Sequence, residues 1–238
     1  MNEHEPSSCG FVEFVFFIWN MQKMNTHEQF VISINRELGS GGRTIGRKLA
    51  QKLGVPFYDK ALIEALQQKY GLTVDEIESL KGRSHSWWAD FKRAFSIGYA
   101  MSNSTDYGQS VVEEPDLLTT DNMYKTEQEI LRGIASSESC VMAGRTAFYV
   151  FRDHPNHLNV FIQASREHRA RRIMEKQGIS RDEALKTIDD VDRMRENYVN
   201  RYTGTSRYDT RNYQLVFSMD GKTEDEIVEQ ILMYIGRH

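Results

Sequence analysis

The chain has 238 residues, enough for one full hydrophobic core with a small inserted lobe. Its net charge of −4 argues against a general nucleic-acid binder. Two cysteines, Cys9 and Cys140, supply neither a disulfide framework nor metal-ligand spacing, so a reducing cytoplasm is the expected compartment.

"GFVEFVFFIWNM" (10–21) is apolar, but it is too short for a bilayer helix, which needs about 20 residues. It contains Glu13, follows an acidic start, and has no Lys/Arg face for a surface anchor. The expectation is an arm packed on the protein, or a start at Met24, with no membrane role. "FVISIN" (30–35) reads as a buried strand. Ile45, Leu49 and Leu53 mark the following helix, and Gly54 sits where a left-handed C-terminal cap belongs. "VPFYD" predicts a second strand ending at Asp59. Leu62, Ile63 and Leu66 predict a helix, and Thr73 with Glu76 a capping box for the next.

Residues 81–125 break the alternation, mixing aromatics with a Ser/Asn/Gly-rich stretch. They read as an inserted helical lobe and a mobile loop, with Trp87, Trp88, Phe91 and Phe95 as lobe core or a homodimer contact. "CVMAG", "LNVFIQA" and "YQLVFSM" are further strands. Ser165 starts an Arg-rich helix, while Ser180/Glu183 and Thr223/Glu226 cap two more; Ile227, Ile231 and Ile235 form the core face of the last. Five strands alternating with helices predict a parallel sheet with helices on both faces.

Between the first strand and its helix lies "RELGSGGRT". A phosphate loop reads G-x-x-x-x-G-K-[ST] in that context. Gly42-Arg43-Thr44 fits the final triplet with Arg43 for lysine. Gly39, Ser40, Gly41 and Gly42 leave the backbone N–H groups free to turn around an anion at a helix N-terminus. Thr44 offers a hydroxyl to magnesium. A dinucleotide fingerprint fits less well, because position 44 is not glycine and Asp59 comes too soon.

Residues 165–211 hold ten arginines and two lysines, a bias that favours forked contacts to phosphate over a merely solvated face. Arg193 and Arg195 are the candidates for a closing lid, about 178–212; Arg171 and Arg181 read as surface pairs. Arg145 and Asp59 follow strand ends, where ligands of open α/β sheets sit.

Taken together, "RELGSGGRTIG", "GVPFYDKALI", "VMAGRTA", "DHPNHLNVFIQAS" and the run through Arg195, Tyr198, Tyr202, Thr203, Gly204, Tyr208, Asp209, Asn212 and Tyr213 resemble the cytidylate kinase-like family. The resemblance implies a three-layer P-loop NTPase fold and an ATP-dependent kinase that moves the γ-phosphoryl to CMP or another small acceptor. It implies ATP with Mg²⁺ at Gly39–Thr44 and an acceptor site near Asp59, Lys60 and Arg145. The lid would hold Arg193 and Arg195. True cytidylate kinases resemble "DTGAMYR" after the second strand and "DGRD" after the third. This chain reads "DKALIEA" and "AGRT", departures that favour a second expectation: a nucleotide-binding regulator with little turnover. An adaptor acting through residues 10–21 and the Trp-rich lobe is the third.

Overall fold

The chain's alternation of apolar runs and amphipathic helices folds in a computed structural model as a five-stranded, all-parallel sheet; the structure describes residues 24–59 and 121–236. In chain order the elements are β1 (Val31–Arg36), α1 (Gly42–Leu53), β2 (Phe57–Asp59), α2 (Asp121–Ser137) and β3 (Cys140–Ala143). There follow α3 (Ala147–Val150), β4 (His157–Gln163), α4 (Arg166–Gln177), α5 (Arg181–Thr203), a 3₁₀ turn (Thr210–Asn212), β5 (Leu215–Ser218) and α6 (Glu224–Tyr234). The strand order is β2-β3-β1-β4-β5, with Val31 opposite both Cys140 and His157.

β1 is central and buried along its whole length: Val31, Ile32 and Ile34 are its apolar residues, and Ser33, Asn35 and Arg36 are buried polar ones. Ile32 and Ile34 face a core layer with Ile45 and Leu49 of α1 and Ile227 and Ile231 of α6. On the opposite face Phe161 of β4 packs with Phe148 of α3, Val199 of α5 and Tyr213. Helices therefore cover both faces, as the alternation requires. That second face is also polar: Asn159 accepts from the Ser33 hydroxyl and donates to the Phe148 carbonyl, and the His157 ring meets Ser33 Oγ at 3.0 Å.

The expected caps are present. Ser180/Glu183 and Thr223/Glu226 form complete capping boxes, Ser165 Oγ accepts from the His168 N–H, and Gly54 closes α1 at φ 68°. Two helices escaped the sequence reading, α2 and α3. Residues 121–125, expected to end the inserted lobe, are the first turns of α2. The arm, Lys60, the helices expected around 62–76 and the Trp-rich lobe with its dimer contact lie outside the described residues. Among the described residues, no helix is long and apolar enough to cross a membrane.

Candidate phosphate site

β1 lies between β3 and β4, so the segments leaving β1 and β3 emerge side by side at the carboxyl end of the sheet. The register puts Asp59, the last residue of β2, opposite Ala143, and the Gly144 N–H donates to the Ile34 carbonyl at 2.9 Å. The glycine loop, Asp59 and Arg145 thus follow neighbouring strand ends at the carboxyl edge of the sheet.

The loop turns tightly. Gly39 (φ 80°) and Gly41 (φ 83°) are left-handed, a region that disfavours any side chain. Ser40 is fully buried and its hydroxyl donates to the Glu37 carbonyl at 2.9 Å, holding the turn from inside. A Cβ at Gly39 would meet the Arg169 carbonyl at 2.8 Å. The first N–H groups of α1, at Gly42, Arg43 and Thr44, have no intrahelical acceptor and add the helix's positive end. Among the described residues, Thr44 Oγ1 receives one long contact, from Arg172 Nη2 at 3.4 Å.

The arginines at the site are partly the expected ones. Arg195 lies 20% exposed, with Nη1 3.5 Å from the Arg36 carbonyl. Burial, then Arg36 and Arg207, hold its pKa well below the usual guanidinium range. Arg193 does not join it: the residue is exposed on the other side of α5 and pairs with Asp190 at 2.7 Å. For both to reach one ligand the helix would have to end or unwind between them. It runs unbroken to Thr203, and residues two apart point in different directions. Arg43 also departs from expectation. Its Nε donates to Asp59 Oδ2 at 2.7 Å and its Nη2 lies 2.6 Å from the same oxygen, so the expected donor-side cation holds the expected acceptor-side carboxylate. Arg181 pairs with Glu167 on the surface, as the bland reading of that residue required.

Arg145 is the one non-glycine residue at positive φ (54°) among the described residues. Its side chain is nearly buried, 3.2 Å from Glu127 and over the Tyr198 ring at 5.6 Å. Tyr198 donates to Glu127 at 3.0 Å. Strain of this kind concentrates where function over-determines the backbone.

Two arginines were missed. Arg36 ends β1, and Arg207 lies between α5 and the 3₁₀ turn; they are 8% and 1% exposed. Arg207 donates to the Arg36 carbonyl. Its Nε and Nη1 have no hydrogen-bond acceptor among the described residues; Asp192, at 3.8 Å from Nη1, is beyond that range. Burial lowers the Arg36 pKa to about 10; Asp59 opposes the shift, while Arg207, Arg43 and Arg145 add to it. The two unfilled donors of the buried Arg207 suit a phosphate oxygen. The available signal was Arg36's place, directly before the loop. Asp192, 7% exposed, organises the other side: it accepts the Leu38 N–H at 3.0 Å and pairs with Arg169 at 2.5 Å and with Arg195 at 3.7 Å.

Parallel sheet, strand order and loop define a P-loop α/β protein of the kinase kind. The chain belongs to the cytidylate kinase-like family, matching it over residues 31–221. Its fold is similar to that of an uncharacterized protein from Eubacterium ventriosum ATCC 27560, with 23% identity over 88% of this chain and 100% of that one and a TM-score of 0.62. A shikimate kinase from Bacteroides thetaiotaomicron (17% identity, 86% of this chain and 96% of that one, TM-score 0.45) and a gluconokinase from Sinorhizobium meliloti 1021 (18%, 87% and 91%, 0.45) are more distant. Among curated proteins, no sequence matches it. Family membership supports phosphotransfer as the class of activity.

Proposed function

We propose that the protein is a phosphotransferase that moves the γ-phosphoryl of MgATP to a small acceptor, CMP or another phosphorylated or hydroxyl-bearing metabolite. The bond from the γ-phosphorus to the bridging oxygen breaks, a new bond forms to an acceptor oxygen, and ADP leaves. The observation that carries this reading is the buried pair Arg36 and Arg207 beside the loop, with Arg195 half-buried next to them and unfilled donors on Arg207. Phosphoryl transfer needs little covalent help from protein; it needs the phosphates held in line and their charge neutralised.

In this reading the N–H groups of Gly39 and Gly41–Thr44, on a turn braced by Ser40, cradle the β- and γ-phosphates. Arg195 and Arg207 stabilise the oxygens that gain charge during transfer. Arg145 and Asp59 are assigned to the acceptor, and Lys60 joins them by its place in the sequence. Magnesium would arrive with the nucleotide and offset the charge of its phosphates, and Thr44 would be its protein ligand. A reducing cytoplasm, where MgATP is supplied and the buried Cys140 thiol persists, suits the activity.

The pair between Arg43 and Asp59 supports one rival reading, a nucleotide-binding regulator with little turnover, because it ties together two groups that transfer would use separately. ADP release from MgATP, screened against nucleoside monophosphates and small hydroxylated metabolites, separates the two. Turnover with one acceptor is the expected result; tight MgATP binding without turnover on any acceptor would establish the regulator.

A further inference from the structure

We propose that Arg36, at the end of β1, supplies the cation that such a loop ordinarily carries as a lysine on its helix, the charge having moved from position 42 to position 36. The proposal rests on the reading of the loop as the MgATP site.

The motif can be set on this chain in two registers. With Gly42 as its last glycine, Arg43 replaces the lysine. The backbone favours the other. Gly41 is the left-handed residue that ends the loop, and Gly42 is already helical. With Gly41 as the last glycine, the lysine position falls on Gly42, the first-glycine position on Arg36, and the Ser/Thr position on Arg43, one residue before Thr44. Arg36 and Gly42 are then the reverse of the motif: a cation stands where glycine belongs, and a glycine where the cation belongs.

The two reversals fit one another in space. A Cβ at Gly42 would lie 2.5 Å from Arg36 Cβ and 3.0 Å from its Cγ. No side chain can leave the helix at position 42 while Arg36 is present, because the Arg36 stem fills that volume. The arginine then continues over Gly144, where an added Cβ would collide with the guanidinium. Gly42 and Gly144 leave open the path that the arginine follows. Arg43, the alternative cation, is held on Asp59. Arg207 donates to the Arg36 carbonyl, and Arg195 approaches the same oxygen, so the backbone that bears the cation is anchored from α5 and beyond. A guanidinium at this place offers two parallel donors to phosphate where an ammonium offers a point charge.

The test is calorimetric binding of MgATP and MgADP to the full chain in five forms: wild type, Arg36→Gly, Gly42→Lys, the double variant, and Arg43→Ala. Arg36→Gly should weaken MgATP binding by about tenfold or more, from loss of a charge-assisted contact. Gly42→Lys should also weaken it, because the new side chain collides with the Arg36 stem. The double variant restores the motif's first glycine and its lysine and should return to within about threefold of wild type, and Arg43→Ala should weaken binding less than Arg36→Gly does. If Arg36→Gly melts below the assay temperature, Arg36→Met, which keeps the stem and removes the charge, is measured in its place and should show the same loss. MgATP affinity unchanged in the Arg36 variant, or a double variant no better than the single ones, overturns the exchange while leaving the nucleotide site intact. A wild-type chain that binds no MgATP overturns the nucleotide reading itself.

Discussion

Replacing Asp192 by alanine tests the electrostatic account of the site without touching the glycine loop. Asp192 is 7% exposed, accepts the Leu38 N–H, pairs with Arg169, and stands within 4 Å of Arg195 and Arg207. Removing one partner of a buried ion pair costs about 3–5 kcal/mol, because the remaining charge stays buried without compensation. Glu37, 3.6 Å from Arg169 Nε, retains part of that compensation, so the lower half of the range is expected, about 3–4 kcal/mol. In urea denaturation this is a shift of midpoint with little change in slope. Added pyrophosphate should recover part of the loss, since an anion bound only by the folded state stabilises it by mass action. Asp192→Asn keeps an acceptor for Leu38 and should lose less. A loss under about 1 kcal/mol in the alanine variant, with no response to pyrophosphate, would refute the view that these arginines are held together against their own repulsion.

Three other outcomes are expected. Burial lowers the His157 pKa to about 4 from 6.5. The unfolded chain therefore binds a proton that the folded chain refuses, and stability should fall as pH drops from about 6.5 to 4, by about 3 kcal/mol in all. His157→Gln should flatten that slope in pH-dependent melting; an unchanged slope counts against the assignment. Gly144→Ala, at φ 81° and against the Arg36 guanidinium, should cost about 1 kcal/mol or more of stability and weaken MgATP binding in the same calorimetric assay. Arg193→Ala should leave kcat within about twofold of wild type, whereas Arg195→Ala should lower kcat far more than it raises the KM for ATP; equal effects would mean that α5 rearranges around both.

The fold was legible wherever local chemistry decides the backbone. β1 and β4 each carry a short apolar stretch, Val31-Ile32 and Val160-Phe161-Ile162, and each side-chain cap of an α-helix falls on a Ser or Thr with Glu or His three residues on. α2 was lost because its buried face includes Thr126, Glu127 and Gly133, which blur the helical period. Its Glu127 is buried for Arg145 and Tyr198, partners that no spacing in the sequence announces. α3 is a single turn, too short for periodicity to register.

The site was legible in its backbone and much less so in its charges. Gly39 and Gly41 mark where the chain must be left-handed, and that requirement is local. Which arginines meet is decided by three separate segments: the end of β1, the inner face of α5, and the stretch after it. Arg193 and Arg195 are equivalent in composition, yet the helix sends one to Asp190 on the surface and the other toward the Arg36 carbonyl. Arg207 is carried inward by a relay that crosses the sheet: Asn35 Nδ2 donates to the Tyr213 hydroxyl at 2.7 Å, and that hydroxyl donates to the Arg207 carbonyl at 2.7 Å. Burial raises the Tyr213 pKa further above the working range, so the phenol keeps the proton the relay needs. A sequence motif records the order of residues along one loop. The charge of this loop comes from residues that leave it before it begins or return to it long after it ends, so the glycines predict where an anion can sit and the packing determines which cations meet it.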